Sequence, residues 1–189
     1  IVSGHDEAFV FDKYEDKFSR YLKPFFKNKD IHKYNFDEAQ KYILYISKNA
    51  ILDDEIINHL TKYKDKLEQR REVKKGSKKW WELQWARKEE IFIGPKIISR
   101  QRNRTNAFSI DFNEFYASAD VYYITPKDKE INIYWILAYL NSKIFYRWFV
   151  NNGKNKGEFL ELYSTPLKEV PIIYTNKIKE IYYICSSKW

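Results

Sequence analysis

Apolar and polar positions follow two different periods along this chain, and the period predicts the type of each element. Short runs rich in β-branched and aromatic residues, bounded by turn-forming residues, are typical of strands. Pro95 lies between two such runs and predicts a bend or a sheet edge there. The predicted strands are 8–11, 41–46, 91–93, 97–100, 107–111, 121–125 and 170–173.

Two longer segments carry apolar residues at helical spacing. The first predicted helix runs from Glu55 to about Arg71, with Asp53 or Asp54 as its N-cap and a charged outer face that we interpret as solvated. The second runs from about Ile131 to Val150 and ends at Asn151-Asn152-Gly153. Strands and helices are interspersed without a βαβ repeat. The pattern therefore predicts an α+β fold with a mixed or antiparallel sheet and two main helices.

Length and composition indicate one globular domain. A chain of 189 residues with 44% hydrophobic residues can bury a substantial core, and a sub-lobe boundary is expected near 72–80. The single Cys185 fits a reducing compartment, no Cys/His group has zinc spacing, and no apolar run is long enough to span a membrane. We expect a cytoplasmic protein. The start at Ile1 and the absence of methionine suggest a piece of a longer polypeptide.

The positive charge is concentrated in one stretch. Of the formal net charge of +8, residues 62–104 alone carry +9. Such a patch attracts polyanions, so nucleic acid is the favoured partner and an anionic membrane surface the second. Within the stretch, Lys74, Lys75, Lys78 and Lys79 surround Gly76 as a flexible basic segment, for which phosphate contact and plain solubility both stay open.

A polar loop lies between the predicted strands 97–100 and 107–111. Arg forks onto guanine, Asn and Gln fork onto adenine, and all three also hold phosphates, so the loop suits the reading of a duplex. A solvated hairpin tip is the alternative. The side chains in question are Arg100, Gln101, Arg102, Asn103, Arg104 and Asn106.

Several further residues have two interpretations. Lys154 and Lys156 lie in a second polar loop, 151–157, and are candidates for phosphate contact. Lys96 either reaches a phosphate or covers the sheet edge. Trp80, Trp81 and Trp85 could stack on bases, but we interpret them as a hydrophobic anchor. Asn141 and Ser142 interrupt the second helical stripe and are expected to satisfy backbone or interlobe hydrogen bonds.

Five segments in order resemble one known family, the TaqI-like C-terminal specificity domain. They are the entry segment GHDEAFVFD with LKPFFKNKDIHKY, then KKWWELQWARKEEIFIGPKIISRQ, NAFSIDFNEFYASADVYYITP, ILAYLNSKIFYRWF and GEFLELYSTPLKEVPI. The resemblance implies the target-recognition part of a restriction-modification enzyme, joined to an adenine-N6 DNA methyltransferase and often to an endonuclease.

The resemblance also implies where catalysis resides. In relatives an S-adenosylmethionine loop and an Asn-Pro-Pro-aromatic motif lie upstream. Every proline here is isolated and no glycine-rich loop exists, so this chain is expected to be catalytically silent and to bind no cofactor. S-adenosylmethionine, and Mg²⁺ if an endonuclease is present, would belong to the parent enzyme. The implied partners are double-stranded DNA and the methyltransferase domain of the same chain.

The sequence thus predicts a domain that recognises a specific sequence in double-stranded DNA and positions a target adenine for a separate catalytic domain. Its lysines would hold phosphates, and the residues from Arg100 to Arg104 would reach base edges. A basic module that binds RNA or a protein is the competing class, and a nuclease is a distant third. The predicted DNA-binding residues are Lys74, Lys75, Lys78, Lys79, Lys96, Arg100, Gln101, Arg102, Asn103, Arg104, Asn106, Lys154 and Lys156.

Overall fold

The computed structural model describes residues 1–48, 50–126 and 131–172. The strands are β1 (Val10–Phe11), β2 (Leu22–Phe26), β3 (Lys41–Leu44), β4 (Lys96–Arg100), β5 (Arg102–Asn103), β6 (Phe108–Asp111), β7 (Tyr116–Ala117), β8 (Val121–Ile124), β9 (Asn155–Lys156) and β10 (Phe159–Glu161). The helices are α1 (Asp6–Phe9), α2 (Asp54–Thr61), α3 (Lys64–Glu68), α4 (Arg71–Lys74), α5 (Ile133–Leu140), α6 (Lys143–Asn152) and α7 (Ser164–Lys168). Short 3-10 helices are Asp16–Phe18, Asn28–Asp30 and Glu89–Ile91. The predicted α+β class is confirmed.

The chain divides into two compact units. Among the described residues, the first comprises 1–30, 37–94 and 112–121, and the second comprises 31–36, 95–111, 122–126 and 131–172. Residues 72–80, where the sequence suggests a sub-lobe boundary, lie inside the first unit.

The first unit is built on a mixed sheet in the order β1-β3-β2-β7. β3 pairs antiparallel with both β1 and β2, whereas β2 pairs parallel with β7. Ile43 and Leu44 of β3 are fully buried, and the ring of Phe26 stacks on that of Phe115 with centroids 3.9 Å apart. Aromatic packing of this kind accounts for much of the high aromatic content of the chain.

The second unit contains two three-stranded sheets, in the orders β6-β4-β8 and β5-β10-β9. β4 pairs antiparallel with β6, as the apolar runs on either side of the polar loop predict. Helices α5 and α6 supply the largest share of the apolar side chains in the core of this unit. The buried members of that core are Ile97, Phe108, Ile136, Leu137, Leu140, Phe145, Phe149, Leu160, Leu162 and Val170.

The first predicted helix is broken into three short ones. α2 begins as expected, because the Asp53 carboxylate accepts a hydrogen bond from the Ile56 amide at 3.0 Å. The chain leaves helical geometry at Tyr63 and again at Arg70, whose backbone is extended. Arg70 is not a solvated side chain: its guanidinium donates to the carbonyls of Ser3, Leu67, Trp80 and Glu82.

The second predicted helix is broken once, at Asn141-Ser142. Asn132 caps α5 by accepting from the amides of Tyr134 and Trp135, and Ser142 caps α6 by accepting from the Phe145 amide at 3.1 Å. α6 ends at Asn152, before Gly153, as predicted. The apolar stripe runs through the break because both helices pack on the same core.

Three strand predictions are wrong in part. Residues 8–9 belong to α1, because Ala8 and Phe9 are both fully buried rather than alternating between two faces. Of 91–93, Ile91 closes a 3-10 helix and Ile93 makes an isolated bridge to Glu114. Residues 170–172 follow α7 without strand pairing, and residue 173 lies outside the described residues.

The tryptophans only partly form the expected anchor. Trp80 and Trp81 are half-buried and make a T-shaped contact with ring centroids 5.5 Å apart. Trp85 is 53% exposed, so the core interpretation is wrong for that residue. Its backbone pairs with Val2, which explains why the position is fixed although the ring stays in solvent.

Candidate nucleic-acid interface

The two polar loops singled out in the sequence meet in one small sheet of the second unit. Inside the connection between β4 and β6, β5 pairs antiparallel with β10, so that Asn103 lies opposite Leu160. On its other side β10 pairs with β9, where Leu160 lies opposite Asn155. We call β5, β9 and β10 the small sheet. It joins the loops 100–106 and 151–157, which are 45 residues or more apart in sequence.

Cationic side chains on the small sheet and directly beside it reach solvent. The side chain of Arg102 is 52% exposed, that of Arg104 71% and that of Lys154 64%. Lys156 on β9 is exposed as well. Exposed cations on a sheet of fixed geometry can contact phosphates and base edges, as the sequence predicts.

A buried carboxylate lies between two of these cations. The Glu161 side chain is only 4% exposed. Its Oε1 is 3.1 Å from Nε of Arg102, and its Oε2 is 3.2 Å from Nζ of Lys154. The hydroxyl of Tyr163 donates to Oε1 of Glu161 at 3.1 Å and accepts from Nε of Arg102 at 3.0 Å.

The charge state of Glu161 follows from these contacts. Burial disfavours its ionised form, but hydrogen bonds from Lys154 and Tyr163 and the charges of Lys154 and Arg102 outweigh that cost. The pKa of Glu161 is therefore lower than usual. The carboxyl is ionised at neutral pH, and the group formed by Arg102, Lys154 and Glu161 carries one net positive charge.

The cationic side chain of Arg104 lies beside an exposed aromatic ring. Arg104 is 3.7 Å from the Glu158 carboxylate, in a pair that is exposed on both sides. The guanidinium carbon of Arg104 also lies 5.6 Å from the centre of the Phe159 ring, which is 41% exposed. Rings and guanidinium planes of this kind can stack on bases.

The other residues of the loop 100–106 attach this loop to the rest of the second unit. Arg100 is half-buried and its Nε donates to the Ile31 carbonyl at 2.8 Å. The Gln101 carbonyl accepts from the Leu162 amide at 2.9 Å. Asn103 is half-buried within β5. The segment is therefore a paired part of the fold rather than a free hairpin tip.

Two predicted DNA contacts lie in the core instead. Lys96 is fully buried, and its Nζ donates to Oδ2 of Asp111 at 2.6 Å across the β4–β6 pair. Asn106 is buried, and its amide donates to the carbonyls of Leu140 and Ser142. Both side chains form hydrogen bonds inside the core, because a buried polar group needs a hydrogen-bonding partner. Neither reaches a surface where it could meet a phosphate or a base.

The basic segment of the first unit is folded, not an open flexible loop. The amides of Ser77 and Lys78 both donate to the Glu72 carbonyl, which closes a turn at Gly76, where φ is +70°. Lys74 and Lys75 are exposed.

The other two lysines of that segment have neighbours. Lys78 is 3.4 Å from Glu82, and Nζ of Lys79 lies 5.1 Å from the centre of the Trp81 ring. Lys74 and Lys75 are therefore better placed for phosphates than Lys78, whose charge is partly offset.

Sequence reasoning missed the residues that organise the small sheet. Glu161 and Tyr163 lie in the run GEFLELY, for which the sequence predicts no strand because its polar and apolar residues do not alternate. A signal does exist: Glu161 lies between Leu160 and Leu162, and an acidic residue among apolar neighbours that becomes buried needs a cationic partner.

In the part of the chain that the structure describes, no three His, Cys, Asp or Glu side chains come together as they would around a metal ion. Over the same residues, no helix is both long and apolar enough to cross a membrane.

The fold and the small sheet define an α+β recognition module with a cationic surface, and comparison with known proteins specifies its class. The model of the TaqI-like C-terminal specificity domain matches residues 23–172. The chain belongs to this family of specificity domains, which confirms the resemblance seen in the sequence.

Two similar proteins extend this finding. The Type II methyltransferase M.MjaIV of Methanocaldococcus jannaschii is 28% identical over 202 aligned positions, which cover 95% of this chain. The chain spans 65% of the length of that relative. A solved structure, the Type IIL restriction-modification enzyme MmeI in complex with DNA, matches 95% of this chain and 25% of the solved chain with a TM-score of 0.61 and 13% identity. That likeness establishes the fold.

Proposed function

We propose that this chain recognises a specific sequence in double-stranded DNA and places a target adenine before an N6-adenine methyltransferase domain of the same protein. The observation that carries the proposal is the small sheet, which brings Arg102, Arg104, Lys154 and Lys156 together from two distant loops, on its strands or directly beside them. A site built on strands holds its side chains more accurately than a free loop does.

The contacts divide into two kinds. Lys74 and Lys75 of the first unit, and Lys154 and Lys156 of the second, would hold phosphates, which fix register and give affinity without sequence preference. Arg102 and Arg104 would reach base edges, where Arg prefers guanine. Lys78, Lys79, Gln101 and Asn103 are half-buried or have close neighbours and would contribute less.

Two comparisons support the placement in a larger enzyme. The methyltransferase relative is longer than this chain, and the structural neighbour is a restriction-modification enzyme in complex with DNA. We expect the gene to encode an Asn-Pro-Pro-aromatic motif ahead of Ile1. S-adenosylmethionine, and Mg²⁺ where an endonuclease is present, would bind to that other part of the protein.

Methylation mapping tests this proposal. Genomic DNA from the host and from a strain lacking the gene would be sequenced with a method that detects N6-methyladenine. We expect one methylated motif that disappears with the gene. An identical methylation pattern in both strains would contradict the methyltransferase role, and preferential binding of the protein to RNA would favour the competing class of interaction module.

A further inference from the structure

The side chains around Glu161 have different roles in DNA binding, an inference that rests on the proposed function. We propose that Glu161 and Tyr163 are positioning residues that fix Arg102 as a reader of a guanine base, while Lys154 on the other side of Glu161 holds a neighbouring phosphate.

The Arg102 guanidinium is occupied on its Nε edge. Both of its hydrogen bonds use Nε, which donates to Glu161 and to the Tyr163 hydroxyl at 3.1 and 3.0 Å. Neither Nη1 nor Nη2 has a hydrogen-bond partner among the residues that the structure describes. The two terminal amines together form the fork that fits O6 and N7 of guanine.

The contacts of Arg102 also fix the orientation of its guanidinium. The guanidinium is held by two partners, one a carboxylate that is itself buried and attached to β10. The Tyr163 ring lies under the same guanidinium, with its centre 5.9 Å from the guanidinium carbon. A planar fork in one fixed orientation suits a base edge, whose donor and acceptor positions are fixed. A phosphate can be approached from many directions and needs no such support.

Lys154 differs from Arg102 in its contact with Glu161 and in its chemistry. Lys154 approaches the opposite oxygen, Oε2 of Glu161, and its side chain is 64% exposed. An ammonium is a point charge without a preferred plane, and it suits a phosphate better than a base edge. Arg102 on β5 and Lys154 next to β9 thus flank one carboxylate, with a base reader on one side and a phosphate holder on the other.

Arg104 provides an internal comparison. Its partner Glu158 is 78% exposed, and their 3.7 Å separation is longer than the 3.1 Å between Arg102 and Glu161. Solvent screens such an exposed pair, so Glu158 should not fix the orientation of Arg104. Glu158→Gln is therefore a matched control for Glu161→Gln, because both lie on the same hairpin and both remove one negative charge.

The test is competition binding of the full-length gene product to its recognition duplex and to every single-base variant of it. Arg102→Ala should abolish the preference for guanine at one position. Glu161→Gln and Tyr163→Phe should each weaken preference at that same position by about tenfold, a loss within the range of one bidentate contact. Both should leave affinity for random duplex equal to or above that of the wild type. Glu158→Gln should keep the wild-type profile.

Double variants and folding controls complete the design. In an Arg102→Ala background, Glu161→Gln should cause no additional loss of preference at that position. Circular dichroism checks that each variant is folded, and Tyr163→Phe, which removes a single oxygen, keeps the inference testable if Glu161→Gln unfolds.

Three results would overturn the inference. Unchanged preference in both positioning variants would do so, and so would a change at a position that Arg102→Ala leaves intact. The third result is a uniform change of affinity for all duplexes in Arg102→Ala, which would show that Arg102 contacts only phosphate. A wild-type protein without any sequence preference would instead overturn the proposed function itself, and this inference with it.

Discussion

The side chain of Asn141 pairs with both backbone groups of Phe108. Its Oδ1 accepts from the Phe108 amide at 3.0 Å, and its Nδ2 donates to the Phe108 carbonyl at 2.8 Å. Asn141 is 1% exposed and lies at the corner between α5 and α6, whereas Phe108 begins β6. The corner therefore holds the end of the polar segment that carries β5, and it sets where that segment re-enters the core.

Replacing Asn141 by Leu should lower the free energy of unfolding by about 2–3 kcal/mol, because the buried amide of Phe108 loses its acceptor and the Phe108 carbonyl keeps only the Tyr34 amide as a donor. The measurement is urea unfolding. Asn151→Ala is the control: Asn151 donates to the Arg147 carbonyl from an exposed position, and its loss should change stability by less than about 0.5 kcal/mol. Equal effects of the two changes would contradict this account of the corner.

The buried pair of Lys96 and Asp111 should be essential for the stability of the second unit. Lys96→Met leaves the Asp111 carboxylate in the core without its ammonium, and we expect a loss of about 3–5 kcal/mol in urea unfolding. A double change, Lys96→Met with Asp111→Leu, should be less harmful than the sum of the single changes because no unpaired charge remains.

An exposed pair serves as the control for this experiment. Nζ of Lys41 is also 2.6 Å from a carboxylate, that of Asp12, but both side chains are exposed. Lys41→Met should leave the unfolding midpoint nearly unchanged, because water screens the pair. If Lys96→Met were equally mild, the burial of Lys96 would be in doubt, and the residue would return to the set of DNA contacts.

The α+β class and the strands β3, β4, β6 and β8 could be predicted because their signal is local. The runs 97–100 and 107–111 are apolar at strand length, and the turn-forming residues between them mark the connection. The first cap, Asp53, is equally local, because its partner lies three residues away.

The breaks and the burials could not be predicted, because they depend on distant partners. Asn141 and Ser142 interrupt the helical stripe, but apolar residues resume after them, and the break becomes clear only from distant partners such as Phe108, which pairs with Asn141 from 33 residues earlier. Lys96 after Gly94-Pro95 is typical of a surface position, and its burial depends on Asp111 across the strand pair. The small sheet depends on pairing between Asn103 and Leu160, which no local pattern encodes.

Acidification should remove the stabilising contribution of Glu161. Its pKa is lowered in the folded state, so the unfolded chain binds the proton more readily there. The contribution is complete above the ordinary pKa of 4.5 and is lost as the pH falls through the lower folded value. The stability difference between wild type and Glu161→Gln should therefore be largest near neutral pH and should shrink below pH 4.5. A difference independent of pH over that range would contradict the ion pairs.

The lysines of the first unit should contribute affinity without sequence preference. If five or six phosphates are neutralised, the logarithm of the binding constant should fall against the logarithm of salt concentration with a slope of about −5. Lys74→Ala with Lys75→Ala should reduce the size of that slope by about 2 and weaken binding to target and random duplex alike.

A charge-matched variant controls for net charge. Lys13→Ala with Lys48→Ala removes two exposed lysines outside residues 62–104 and should change the slope much less. If the two double variants had the same slope, affinity would follow net charge rather than the basic segment. A change of preferred sequence in Lys74→Ala with Lys75→Ala would contradict the division between phosphate and base contacts.

The most direct test of the central claim is selection from a library of random DNA duplexes by the full-length gene product, followed by sequencing of the bound fraction. The account predicts one enriched motif for the wild type. It predicts the same motif with weaker retention for Lys74→Ala with Lys75→Ala, and a motif relaxed at one or more positions for Arg102→Ala with Arg104→Ala. Bound duplexes that do not differ in sequence from the starting library would contradict the claim that this chain selects a DNA sequence.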